Sequence, residues 1–141
     1  MRLYLDTCTL QRPLDDRSQL RIALEADAVL AVLSLCHQQL HRLVVSDVTV
    51  FETTRNPNAQ RRIFADAIIA QAAEHQALTD SIAQRARFLE QAGVKAIDAL
   101  HWATAEHAAV DYFCTCDDRF YRRIQSLPDR TLAVVTPLEL A

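Results

Sequence analysis

The chain has 141 residues, half of them hydrophobic, which predicts a single globular domain over residues 1–141 and excludes a disordered chain. Its formal net charge of −3 gives no overall attraction for a polyanion, so a nucleic acid would have to be held by local arginines or bridging metal ions. No apolar run is long enough to cross a membrane, and Asp6 interrupts the amino terminus before a signal-peptide core could form, so we expect a cytoplasmic protein.

The first predicted element is a short strand over Arg2–Leu5, whose bulky side chains are typical of a strand buried on both faces. It stops at Asp6, and an open parallel sheet gathers its ligands just beyond the carboxyl ends of its strands. A turn-rich loop over residues 11–18 follows. Ser18 is then the expected N-cap of a helix that extends to about Leu40 and carries one apolar face.

The second predicted strand, Leu43–Val45, leads directly into a helix. Ser46 or Asp47 is the expected N-cap, and the helix runs from Val48 to about Arg55 with Glu52 in its second turn. Three more helices are predicted after it, over residues 59–73, 81–92 and 96–108.

Local signals mark the last two of these helices. Ser81 and Gln84 predict a capping box at the start of the first of them, and Gly93 stands where a C′ glycine belongs. Gly93 is the only glycine in the chain, which excludes a glycine-rich phosphate-binding loop. Asp98 lies in the first turn of the final helix of the three, where its side chain serves either as a cap or as a ligand.

The carboxyl-terminal part predicts two more strands, Tyr112–Thr115 and Leu132–Val135, on either side of a helix over Arg119–Leu127. Asp117 or Asp118 caps this helix, and the sequence leaves open which of the two has another role. Because helices separate all four strands, we expect one three-layer α/β/α domain with a mostly parallel central sheet and right-handed crossovers.

Four acids are expected to converge at the carboxyl edge of this sheet: Asp6, Glu52, Asp98 and Asp117. Such a cluster repels itself unless cations offset the charge. Carboxylate-rich sites favour Mg²⁺ or Mn²⁺ over softer metals, and a pair of such ions can promote in-line attack of water on a phosphodiester. Each acid alone has an ordinary alternative as a helix cap or a solvated side chain, so their shared position is what indicates a site.

Arginines near these acids are the expected contacts for substrate phosphates. Those nearest to the acids in sequence are Arg12, Arg17, Arg55 and Arg119. The alternative for each of them is an ordinary solvated charge on the surface of an α/β domain.

Three segments carry a resemblance to a known family. Leu5-Asp6-Thr7-Cys8, after the opening strand, is similar to the first motif of the PIN-domain nucleases, which include the VapC-type toxins. Ala96-Ile97-Asp98-Ala99-Leu100-His101-Trp102-Ala103 resembles that family's third-acid helix. Thr115-Cys116-Asp117-Asp118-Arg119-Phe120 resembles its late Thr-x-Asp-x-x-Phe motif, and Glu52 falls where the family places its second acid.

The resemblance implies a Mg²⁺- or Mn²⁺-dependent endoribonuclease that hydrolyses RNA phosphodiester bonds. Its catalytic and metal-binding acids would be Asp6, Glu52, Asp98 and Asp117. Thr7 and Thr115 would orient a carboxylate, a water or a phosphate, whereas Cys8 departs from the serine or asparagine that family members often carry. In the toxin branch an antitoxin blocks the acidic edge and homodimers are common, so both partners are expected. The alternative is a PIN-like module that binds RNA or protein without cutting.

Overall fold

The computed structural model describes all 141 residues and contains five β-strands, eight α-helices and a 3₁₀ turn at Arg12–Leu14. The strands are β1 (Arg2–Leu5), β2 (Arg42–Ser46), β3 (Glu74–Gln76), β4 (Tyr112–Cys114) and β5 (Ala133–Val135). The helices are α1 (Thr7–Leu10), α2 (Leu20–His37), α3 (Asp47–Arg55), α4 (Ala59–Gln71), α5 (Asp80–Gln91), α6 (Ala96–Ala108), α7 (Asp118–Gln125) and α8 (Pro137–Leu140).

All five strands are parallel and lie in the order β3-β2-β1-β4-β5, which places β1 at the centre of the sheet. Leu3 of β1 is in register with Leu43 of β2 on one side and with Tyr112 of β4 on the other. The residue that follows β1, Asp6, therefore lies at the middle of the carboxyl edge. The predicted α/β/α fold with a parallel sheet is confirmed.

The sheet divides the core into two layers because successive strand residues face opposite sides. Leu3 and Leu5 pack in the layer that contains α2. Tyr4 faces the other layer, where its ring stacks on Phe113 at a centroid distance of 5.3 Å and Trp102 of α6 lies 5.2 Å from Phe113. Burying each of these large side chains contributes roughly 1.5–3 kcal/mol, so the aromatic layer anchors α6, the helix that carries Asp98.

One strand of the sheet, β3, was absent from the sequence prediction. It has only three residues, none of them apolar, and it pairs with β2 at the edge of the sheet. Glu74 of this strand accepts hydrogen bonds from Arg2 and Arg42, the first residues of β1 and β2. Contacts of this kind stabilise an edge strand without the hydrophobic alternation that a sequence pattern detects.

The structure corrects several predicted boundaries. The long helix runs from Leu20 to His37 rather than from a Ser18 cap to Leu40. The predicted Ser81 capping box is wrong: α5 begins at Asp80, and the side chain of Thr79 accepts a hydrogen bond from the backbone nitrogen of Ile82. The segment after Asp6, predicted as turn and loop, forms α1 and the 3₁₀ turn. Several small polar residues near a helix start can serve as its N-cap, and contacts with the rest of the fold determine which of them does.

None of the eight helices combines the length and the apolar composition that crossing a bilayer requires. All four cysteines are free thiols. Cys114 and Cys116 are buried near the carboxyl end of β4, whereas Cys8 is exposed beside Asp6.

Three helices are followed by a residue in the left-handed backbone region: Gln39 after α2, Gly93 after α5 and Ala109 after α6. Gly93, after α5, has φ of +99°, and a Cβ there would lie 3.0 Å from Nη1 of Arg123. Ala109, after α6, has φ of +55°.

We expect Gly93→Ala to lower the free energy of unfolding by about 1 kcal/mol or more, and Ala109→Gly to be neutral or slightly stabilising. Urea denaturation of the two variants checks this; loss of equal stability in both would contradict it.

Candidate active site

The four predicted acids come from four elements that meet at the carboxyl edge of the sheet. Asp6 follows β1, Asp117 follows β4, Glu52 lies on α3 and Asp98 lies in the first turn of α6. Partial burial raises the pKa of Asp98 to about 6, and the negative charges of Asp6, Asp117 and Glu52 add to that increase. Asp98 and Asp117 line one cleft at this edge, and Glu52 lines another.

Asp6 is 4% exposed and accepts hydrogen bonds at both carboxylate oxygens. Its Oδ1 accepts from the backbone nitrogen of Thr9 at 3.2 Å, from the Thr9 hydroxyl at 2.5 Å and from the Cys8 thiol at 3.3 Å. Its Oδ2 accepts from the hydroxyl of Thr115 at 2.7 Å. Thr115 thus orients an acid, one of the roles that the resemblance implies for it.

The loop after β4 determines where Thr9 and Thr115, the two threonines that donate to Asp6, direct their hydroxyl protons. The backbone nitrogen of Cys116 donates to Oγ1 of Thr9 at 2.9 Å, and that of Asp117 donates to Oγ1 of Thr115 at 3.1 Å. Each hydroxyl therefore accepts one backbone hydrogen bond and directs its own proton to Asp6. Sequence reasoning missed Thr9, although its place three residues after an N-cap acid is the signal that could have identified it.

Glu52 is held by two donors from different elements. Its Oε1 accepts from the hydroxyl of Thr7 at 2.5 Å and lies 2.5 Å from Nε2 of His101. Burial alone would raise the pKa of Glu52, but the hydrogen bonds from His101 and Thr7 outweigh it and hold the pKa below its ordinary value. Glu52 is therefore an anchored residue of the edge and not a freely solvated helix side chain.

A buried chain of hydrogen bonds determines which ring nitrogen of His101 carries a proton. The backbone nitrogen of Thr49 donates to Oγ of Ser46, the N-cap of α3, and Ser46 lies 2.7 Å from the hydroxyl of Tyr4. The Tyr4 hydroxyl lies 2.6 Å from Nδ1 of His101. Because a carboxylate oxygen only accepts, we infer that Nε2 of His101 carries the proton in its contact with Glu52, and a neutral imidazole then accepts at Nδ1 from the Tyr4 hydroxyl.

We expect Tyr4→Phe to weaken the hold on Glu52 while preserving the aromatic core. Nδ1 of His101 would lose its donor, so the other tautomer, which turns a lone pair toward Glu52, becomes more populated. The free energy of unfolding should fall by about 1 kcal/mol, and metal-dependent cleavage should slow by about 10-fold or more. Tyr112→Phe is the matched control because Tyr112 lies on the next strand and its hydroxyl makes no hydrogen bond. Nitrogen-15 NMR of His101 reports the tautomer; an unchanged spectrum and rate in Tyr4→Phe would refute the expectation.

The two consecutive acids after β4 have different surroundings. Asp117 is the N-cap of α7, where its Oδ1 accepts from the backbone nitrogen of Phe120 at 3.0 Å, and its charge raises the pKa of Asp98. Asp118 points to α2, where both of its oxygens lie 2.6 Å from the guanidinium of Arg21. The geometry therefore assigns Asp117, and not Asp118, to the acidic edge.

The predicted phosphate-binding arginines divide into two groups. Arg12 pairs with Asp15 at 2.8 Å, and Arg17 pairs with Asp27 at 2.9 Å, so their charges are already compensated within the protein. Arg55 forms no ion pair and lies over the ring of Phe51. The cleft that Asp98 and Asp117 line also contains three basic side chains without an ion-pair partner: Lys95, Arg119 and Arg123.

The donor set at this edge suits a hard divalent cation. The four carboxylates offer only oxygen, the ligand atom that Mg²⁺ and Mn²⁺ prefer. Oε2 of Glu52 makes no hydrogen bond within the protein, whereas Oε1 is used by Thr7 and His101. In this arrangement the acids do not form a compact group of three or more ligand residues, so binding an ion would require side-chain adjustment.

A five-stranded parallel sheet with carboxylates at its carboxyl edge defines the class: an α/β protein with an acidic carboxyl edge. The family model of the PIN domain matches residues 3–124, and the chain therefore belongs to the PIN-domain family, a family of nucleases. This confirms the resemblance that the motifs indicated. No curated protein matches the chain.

A solved structure supports the same fold. It is described as VapBC2 from Rickettsia felis bound to a DNA fragment from their promoter, and it matches with a TM-score of 0.63 and 14% sequence identity. The alignment covers 96% of this chain and 98% of the matched chain. At this identity the likeness establishes the fold, and it extends over the whole domain.

Proposed function

We propose that this protein is a metal-dependent endoribonuclease that hydrolyses RNA phosphodiester bonds at the carboxyl edge of its sheet. The observation that carries the proposal is the position of the four acids at one edge of the sheet. Asp6 and Asp117 follow the neighbouring strands β1 and β4, Asp98 shares a cleft with Asp117, and Glu52 accepts a hydrogen bond from Thr7, the residue after Asp6. A chain gains no stability by gathering like charges in a partly buried place, so a bound cation is the natural compensation.

In this proposal Mg²⁺ or Mn²⁺ would be held, directly or through water, by Asp6, Glu52, Asp98 and Asp117. When bound, such an ion activates water as a nucleophile and neutralises charge on the phosphate. The protein's own contribution is orientation. Thr9 and Thr115 keep both oxygens of Asp6 in place, and His101 keeps Glu52 at the edge.

RNA would be held on both sides of the acids by the side chains whose charges remain uncompensated. Arg55 borders the cleft beside Glu52, and Lys95, Arg119 and Arg123 border the cleft beside Asp98. Phosphate contacts of this kind make binding strongly salt-dependent. Arg12 and Arg17 contribute less because their acidic partners must first be displaced.

We further propose an antitoxin partner and a homodimer, in a protein that acts in the cytoplasm. The antitoxin rests on the similar structure, which is described as a VapBC2 assembly on promoter DNA. The homodimer rests on the family resemblance alone. Co-expression with the product of a neighbouring reading frame, followed by size-exclusion chromatography with light scattering, tests both partners.

The proposed activity is tested by incubating the purified protein with a panel of labelled RNAs in Mn²⁺, in Mg²⁺ and in chelator. Asp117→Asn should abolish metal-dependent cleavage, whereas Asp118→Asn, at the next position but paired with Arg21, should leave it nearly unchanged. Cleavage that survives in chelator or in Asp117→Asn would refute the proposal. RNA that is bound but never cut with either metal would favour the alternative, a catalytically silent binding module.

A further inference from the structure

A cleft of about 440 Å³ opens next to Glu52, between α1 and α3. It differs from the cationic cleft beside Asp98 because its walls combine an aromatic ring, carboxamides and a single arginine. Its lining residues include Gln11, Phe51, Glu52, Arg55, Asn56 and Ile97. A substrate strand that reaches the acids from this side must pass over these groups.

The most prominent of these groups is the pair formed by Phe51 and Arg55, one turn apart on α3. Phe51 is 48% exposed, which is a large apolar surface to leave in water. The guanidinium carbon of Arg55 lies 4.5 Å from the centroid of the Phe51 ring. The pair therefore offers two flat groups, one aromatic and one cationic, on which another planar ring can stack.

The second group is Gln11, which is 6% exposed and forms part of the floor of the cleft. Its Oε1 accepts from Nδ2 of Asn56 at 3.3 Å and from Nη1 of Arg61 at 3.5 Å, which fixes the orientation of the carboxamide. Its Nε2 has no hydrogen-bond partner in the protein. A buried donor without a partner is costly, and a ligand that brought an acceptor into the cleft would remove that cost.

We propose that this cleft binds one unpaired nucleobase of a single-stranded RNA, next to the phosphodiester bound at the acids. The base stacks on the Phe51–Arg55 pair, and an acceptor on its edge receives the free Nε2 hydrogen of Gln11. Every base has a flat face and at least one edge acceptor, but a base in a duplex exposes neither face. This inference rests on the proposed nuclease function and adds to it a preference for single-stranded substrate at a defined nucleotide.

The test measures binding without cleavage, in chelator, by fluorescence anisotropy of a labelled single-stranded octanucleotide. Each position of the RNA is made abasic in turn. For the unmodified protein we expect one position at which the loss of the base weakens binding by about 10-fold, the size usual for base stacking on an aromatic side chain. Phe51→Ala should bind the intact RNA more weakly by a similar factor, and the abasic change at that position should then have no further effect.

Phe88→Ala is the matched control. Phe88 is also an exposed phenylalanine, 54% accessible, with the guanidinium of Arg85 lying 5.3 Å from its ring centroid, but it lies on α5 outside the cleft. We expect this variant to bind every RNA as the unmodified protein does. In a second variant, Gln11→Glu, an acceptor replaces the free donor, and the abasic change at the same position should have a smaller effect because only the stacking contact remains. Thermal unfolding confirms that each variant is folded.

The outcomes separate this inference from the function it rests on. If the protein binds no RNA, the proposed function fails, and the base site fails with it. If RNA binds but Phe51→Ala and Phe88→Ala have the same affinity as the unmodified protein, only the base site is refuted. Equal affinity for a duplex and for a single strand would also refute the base site. The same holds if Phe51→Ala keeps its affinity for RNA but loses a co-purified protein partner.

Discussion

Replacing Asp6 with asparagine is expected to abolish metal-dependent cleavage and also to lower the free energy of unfolding by about 1–3 kcal/mol. The hydroxyls of Thr9 and Thr115 both donate to Asp6, because each already accepts a backbone hydrogen bond. An asparagine must turn its NH₂ group toward one of them, where two donors would meet. The isosteric substitution is therefore not neutral at this position. Cleavage assays with Mn²⁺ and urea denaturation in chelator measure the two effects separately.

A double-mutant cycle tests the cause of the instability. Thr115→Val removes one of the two donors, so Asp6→Asn should cost less stability in that background than in the unmodified protein. Thr115→Ser retains the hydroxyl and should preserve the full cost. Strictly additive effects of Asp6→Asn and Thr115→Val would show that the donor conflict is not the source of the loss. Retention of metal-dependent cleavage by Asp6→Asn would remove Asp6 from the proposed site.

Asp98→Asn is expected to have opposite effects on activity and stability: cleavage is lost, but the metal-free protein becomes more stable at neutral pH. The pKa of Asp98 is raised from an ordinary value of 3.8 to about 6 by burial and by the neighbouring charges of Asp6 and Asp117. Between these two values the folded state keeps a proton that the unfolded chain has released, so the free energy of unfolding falls as the pH rises. Asparagine carries no charge and removes this penalty. Because Asp98 is partly exposed, we expect a gain of only about 1 kcal/mol at pH 7.

Urea denaturation in chelator at pH 4, 5.5 and 7 measures this effect. The stability difference between Asp98→Asn and the unmodified protein should grow through this range. Asp66→Asn, at an exposed position on α4 whose side chain makes no hydrogen bond, is the matched control. Addition of Mn²⁺ should stabilise the unmodified protein more than Asp98→Asn, since ligand binding to the folded state adds to its stability. A variant that is less stable by the same amount at every pH would contradict the raised pKa.

The fold was largely predictable because its main signals are local. Four of the five strands, including β1, are short runs of large apolar residues, and the helices between them require parallel pairing. The exception, Glu74–Gln76, pairs with β2 and is stabilised by hydrogen bonds from the side chains of Arg2 and Arg42 to Glu74. Its stabilising contacts come from residues that are distant in sequence, and no local pattern identifies them.

The candidate site divides in the same way. The sequence by itself indicated Asp6, Asp98 and Asp117 as candidates, because a carboxylate after a buried strand or at a helix start is a local feature, and the family resemblance added weight to Glu52. Tertiary structure alone decided how each acid is held. Thr115 reaches Asp6 across 109 positions and His101 reaches Glu52 across 49, contacts that depend on the order of the strands and on the packing of α6.

Tertiary structure also decided between alternatives that the sequence left equal. Asp117 and Asp118 are chemically identical neighbours, yet Arg21 on α2 binds one of them and leaves the other at the acidic edge. Arg12 and Arg55 each follow a predicted acid by a few positions, yet Asp15 pairs with the first, whereas the second forms no ion pair. The physical reason is the same in each case. Residue type and spacing determine which group is present, whereas its charge and hydrogen bonds are set by partners that only the folded chain brings within a few ångströms.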